Sequence, residues 1–75
     1  MTFEVTQREF NTTGARLERT ITVKTNGGQV TIEASFDGVD WQLTDTIRAS
    51  GGYVVFQGKS MLRITPTGGA EYDYI

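Results

Sequence analysis

The feature that most constrains what this chain can fold into is the alternation in residues 30–43, VTIEASFDGVDWQL. Val30, Ile32, Ala34 and Phe36 fall at every second position, with Thr31, Glu33 and Ser35 between them. A period of two places one set on a buried face and the other in water, which a strand satisfies and a helix does not. Asp37-Gly38 then predicts a turn, because Gly accepts positive φ and Asp bonds the backbone that follows it. Trp41 and Leu43 restart the alternation. The stretch therefore predicts a β-hairpin with the chain's single Trp near its tip.

The same reading extends along the chain. Phe3 and Val5 alternate with Thr2, Glu4, Thr6 and Arg8, whereas Phe10 is out of phase, so a bulge or strand end is expected over residues 7–9. A turn cluster at residues 11–14 leads into a strand over residues 15–24, with Leu17, Ile21 and Val23 on one face. Arg19 shares that apolar face, which places it either at the sheet margin or against another subunit. Asn26-Gly27 predicts a tight hairpin. Tyr53, Val54, Val55 and Phe56 are apolar on both faces, so this strand is expected to be covered twice, by a second sheet or by a neighbouring subunit. Gly58 predicts a second tight hairpin, of type II′. Leu62 and Ile64 point inward from the return strand, and Pro66 is expected to end it. Tyr72 and Tyr74 share a face of the last strand.

No segment has a helical period, and six of the nine glycines occur as Gly-Gly pairs at turns. The expected fold is all-β and a single domain over residues 1–75. We read a small antiparallel β-sandwich or barrel of six to seven short strands, in meander order because the connections are short.

Size sharpens the functional question. A core in a chain of 75 residues rarely contributes more than roughly 3–5 kcal/mol net. The chain has no Cys and no His, which removes disulfides and leaves only carboxylates and carbonyls for a metal. Self-association or docking on a larger assembly is the remaining reinforcement. No apolar run approaches the roughly 20 residues of a membrane helix, so a soluble protein without a signal peptide is expected, with no membrane partner. The net charge is −2 with charges interspersed, and no basic patch points to nucleic acid.

Catalysis is hard to build from this composition. A nucleophile lacks its usual His base, and the carboxylates Glu33, Asp37, Asp40, Asp45 and Glu71 read as solvated turn or strand-face residues. Asp37, Asp40 and Asp45 do not match a calcium loop with its closing Glu. No catalytic residue, cofactor or metal site is expected. The four Phe read as core. Trp41 reads as the core's largest member, with a sugar-stacking platform as the alternative. Tyr72 and Tyr74 either cover the sheet's edge or form an interface. The candidate contact residues are thus Arg19, Trp41, Tyr53, Val55, Tyr72 and Tyr74.

The motif Glu33-Ala34-Ser35-Phe36-Asp37-Gly38-Val39-Asp40-Trp41, followed later by Leu62-Arg63-Ile64, resembles small β-rich structural proteins of tailed-phage virions. The resemblance spans residues 29–69. It implies a head decoration, fibre or tail-associated component, oligomeric, located in the virion if phage-encoded and otherwise in the cytoplasm. The same Ser-x-Asp-Gly-x-x-Trp pattern also occurs as a structural turn in sugar-binding sandwiches. Three roles follow from these readings: an assembly protein, a carbohydrate-binding module built on Trp41 and Tyr side chains, and an adaptor or inhibitor that pairs an edge strand with a partner sheet.

Overall fold

In the computed structural model, which describes residues 3–10, 18–58 and 60–74, seven strands form two antiparallel sheets. They are β1 (Arg8–Phe10), β2 (Glu18–Lys24), β3 (Gln29–Ser35), β4 (Gln42–Ile47), β5 (Gly51–Phe56), β6 (Met61–Thr67) and β7 (Glu71–Tyr74). There is no helix among the described residues. One sheet has the order β1-β6-β3-β4 and the other β5-β2-β7. The turn expected at residues 11–14, and the start of the second strand at residues 15–17, lie outside the described residues.

The two sheets close over one core. Ile21, Val23 and Tyr72 from the three-stranded sheet meet Phe10, Val30, Ile32, Ile47, Leu62 and Ile64 from the four-stranded one. Each is a period-two position of its strand, and each full burial of such a side chain contributes about 1.5–3 kcal/mol. The fold is the expected β-sandwich, but its strand order is not a meander. Only β3 and β4 are sequential neighbours in one sheet. The turn at Asn26-Gly27 and the turn at Gln57-Gly58 are not hairpins; each carries the chain from one sheet to the other.

Two loops explain these crossings. Asn26 adopts φ 48° and its side-chain amide donates to the Gly69 carbonyl at 3.2 Å. Gly28 passes so close to the β6–β7 loop that a Cβ there would sit 2.0 Å from the Thr67 carbonyl oxygen. At the second crossing, the buried Gln57 amide donates to the Phe10 and Ser60 carbonyls at 3.1 and 3.3 Å. Its carbonyl accepts from Arg19 Nε at 2.7 Å. Arg19 therefore faces the core margin of its own chain, with its guanidinium 4.1 Å from the Phe10 ring centroid.

The amino-terminal phase break is a change of sheet. Glu4 bridges Tyr72 in the three-stranded sheet, the chain bends at Thr6, and β1 then pairs with β6. Phe10 is buried by this switch, while Val5 is exposed. Pro66 lies inside β6, one residue from its end. β1 pairs only with Leu62, Arg63 and Ile64, so no β1 carbonyl is left facing the proline's missing N–H.

Candidate functional site

The β3–β4 hairpin is where the structure departs furthest from simple alternation. The register shifts between Ile32 and Glu33, with Thr44 as the extra residue opposite them. Thr44 donates to the Ile32 carbonyl at 3.1 Å. Such an extra residue shifts the side-chain phase of β4 alone, while β3 keeps an unbroken register with β6. Ser35, the last residue of β3, is buried, and Phe36, expected in the core, follows the strand's end and is 90% exposed.

The tip is held by its own side chains. The Ser35 hydroxyl accepts from Gly38 N at 2.9 Å and donates to Asp37 Oδ1 at 3.0 Å. Asp37 Oδ1 also accepts from the Asp40 and Val39 amides at 2.9 and 2.8 Å. These amides, with the Ser35 hydroxyl, hold the Asp37 carboxyl below its ordinary range. Gly38 has φ 79°, and a Cβ there would also meet the Met61 sulfur at 3.1 Å. Asp37 thus serves the turn.

Trp41 emerges from this loop onto the outer face of the four-stranded sheet and is half-buried. It lies over the Arg63 guanidinium, 4.2 Å from charge to ring centroid. Arg63 in turn bonds Glu33 through Nε at 3.0 Å and Nη2 at 3.1 Å, with Glu9 at 3.9 Å on its other side. This row of Glu9, Arg63 and Glu33 follows the cross-strand register of β1, β6 and β3. The bidentate Glu33 bond raises the Arg63 pKa. Trp41 is therefore a lid on an ion-pair row and not the centre of the core.

The other face of the hairpin forms one wall of an open cleft of about 530 Å³. Ala34, Phe36, Asp40, Gln42, Thr44 and Ser60 line it. Here the inner positions of β4 lack a facing strand, so they are exposed where Ile47, further along, is buried.

A second exposed surface lies on β5. Tyr53 and Val55 pack against the core, while Val54 and Phe56 on the opposite face are 60% and 77% exposed. The strand is covered on one face only, contrary to the double covering its composition predicts. Within the chain β5 pairs only with β2, leaving its outer edge open among the described residues.

The predicted contact residues scatter between these places. Tyr53 and Val55 point inward beside Arg19, which pairs with Val55 in the β2–β5 register. Tyr72 is fully buried, donates its hydroxyl to the Thr6 carbonyl at 3.1 Å, and has its pKa pushed up to about 12, chiefly by desolvation. It is a core residue and not a surface contact. Tyr74 is half-buried, edge-on to Phe10 at 4.9 Å and beneath Arg8 at 5.3 Å. The exposed residues Phe36, Val54 and Phe56 were missed by the alternation pattern. For β5 the signal was present in its two-sided apolarity; Phe36 keeps the alternation but lies beyond the end of β3.

Among the described residues, no three His, Cys, Asp or Glu side chains cluster as a metal site. Glu33 is committed to Arg63 and Asp37 to the turn, while Asp40 is exposed at the cleft. What this arrangement offers is surface for binding: one exposed apolar strand face and one open cleft whose apolar rim carries several polar side chains. No family model, no curated protein and no solved structure matches the chain.

Proposed function

We propose that this chain is a non-enzymatic structural or assembly protein, which associates with further copies of itself through β5 and docks on a larger protein assembly. The observation that carries the reading is the exposure of Val54 and Phe56 on a strand whose outer edge is open among the described residues. Natural sheets protect such edges with charge, proline or bulges. The other three outer strands carry charges: Arg8 and Glu9 on β1, Asp45 on β4, and Glu71 and Asp73 on β7. β5, with the sequence GGYVVF, carries no charge and no proline.

A second copy fits this edge. Antiparallel pairing about a two-fold axis at Val55 sets Val54 of one copy opposite Phe56 of the other, twice over. Such cross-strand apolar pairs contribute roughly 0.2–1 kcal/mol each, beyond the water they exclude. The pairing joins two three-stranded sheets into one of six strands. The finer reading, a virion component such as a head decoration, fibre or tail-associated protein, rests on the resemblance of residues 33–41 and 62–64.

Sedimentation velocity at micromolar concentration tests the association. The wild-type chain is expected to sediment as a dimer or higher oligomer, and Val54→Lys with Phe56→Lys as a monomer of unchanged circular dichroism. A wild-type chain that stays monomeric, or a double variant that still associates, rejects the β5 interface.

A further inference from the structure

We propose that the cleft between the β3–β4 hairpin and Ser60 is a binding site for the pyranose ring of a neutral sugar. Its volume of about 530 Å³ falls within the roughly 300–1,000 Å³ of small-ligand clefts. The lining combines one flat apolar group with several short polar ones. Phe36 is the flat group, and it stands almost entirely in water at the rim. Leaving a ring in water has a cost that a stacking partner removes, and the C–H face of a pyranose is such a partner.

The polar groups match hydroxyls better than ions. The Asp40 carboxylate and the Gln42 amide make no hydrogen bond to any described side chain or backbone group, and both face the cleft. Together they offer acceptors and two N–H donors. The Thr44 and Ser60 hydroxyls already donate to the Ile32 and Gln57 carbonyls, which leaves their lone pairs to accept from a ligand. Among the described residues no Lys or Arg lines the cleft, and carboxylates do, so an anion is disfavoured. No group of three metal-ligating side chains is present among the described residues, so a bare cation lacks a coordination set. A neutral polyol that both donates and accepts is the chemistry that remains.

The site is also held in shape before any ligand arrives. The Ser35 and Asp37 bonds fix the tip from which Phe36 and Asp40 project. Trp41, the sugar platform suggested by the sequence, lies over Arg63 on the other face of the hairpin and takes no part. The site is on the four-stranded sheet and β5 on the other, so this proposal stands or falls separately from the association.

Amide chemical shifts in ¹H–¹⁵N spectra of the full chain test it, with methyl β-D-glucopyranoside, cellobiose and diacetylchitobiose as probes. The expected result is saturable shifts at Ala34, Gln42, Thr44 and Ser60 with at least one probe, at about millimolar affinity for so open a cleft. Phe36→Ala and Asp40→Asn each weaken binding about tenfold or more, whereas Leu43→Ala, on the outer face of the same hairpin, titrates like the wild type. Both weakening variants alter exposed side chains, and their undisturbed spectra verify the fold. Absence of saturable shifts with all three probes overturns the proposal, as do shifts centred elsewhere or undiminished in Phe36→Ala.

Discussion

Trp41 and Tyr72 exchange the roles that their side chains suggest. The larger ring sits half-buried over an arginine, and the phenol occupies the centre of the sandwich. Truncating Trp41 therefore removes a cation–π contact and some cover from Glu33 and Arg63, but opens no cavity. Trp41→Ala is expected to cost roughly 1–2 kcal/mol in urea unfolding, well below the 3–5 kcal/mol of a buried aromatic truncation. A loss in that larger range would place the ring in the core.

Tyr72 carries a pH dependence with a definite sign. Its hydroxyl ionises near pH 10 in an unfolded chain and is pushed up to about 12 in the fold, first by desolvation and then by the Glu4 charge. Between those values the unfolded state has released a proton that the folded state retains, so stability falls with rising pH. The contribution is complete below pH 10 and is lost as the pH climbs through about 12. Tyr72→Phe is expected to flatten this alkaline decline, measured as denaturation midpoint against pH. An unchanged decline would assign it to other groups.

At the scale of elements, the crossings between sheets matter more than the single hairpin. The loop after β2 and the loop after β6 lock through Asn26, Gly28 and the Thr67 carbonyl. Neighbouring glycines there do different jobs. A methyl group at Gly28 collides with backbone, whereas at Gly27 it meets nothing within 4 Å and suffers only the strain of φ 86°. Gly27→Ala is expected to cost about 1 kcal/mol, and Gly28→Ala at least 3 kcal/mol, enough to unfold a domain of this size. Thermal melts of the two variants check the contrast, and equal losses would mean that the loops are not locked.

For the whole molecule, one core closes two sheets, and the amino-terminal segment ties them by bridging Glu4 to Tyr72 before entering the opposite sheet. The surface that remains divides by face. The four-stranded sheet bears the Glu9, Arg63 and Glu33 row on its outer side, whereas the three-stranded sheet leaves Val54 and Phe56 uncovered. The proposed association follows from that asymmetry: the molecule's least protected edge adjoins its exposed apolar pair.

Strand content, the β3–β4 hairpin and the inward set Ile21, Val23, Val30, Ile32, Leu62 and Ile64 were legible in the sequence, because period-two burial is a local property of each strand. Two-sided apolarity likewise marked β5 as a strand, but the double covering it predicts is absent among the described residues: one face packs on the core and the other is exposed. Tertiary structure alone decided the rest. Which strand lies beside which depends on contacts distant in sequence, so Asn26-Gly27 could open a hairpin or cross between sheets with the same local chemistry. The bulge at Thr44 exists only through the pairing of β4 with β3, and β3 ends at Ser35, which leaves Phe36 outside the core at the cleft. Arg19 became explicable only once Gln57 and Phe10, from two other parts of the chain, were brought against it.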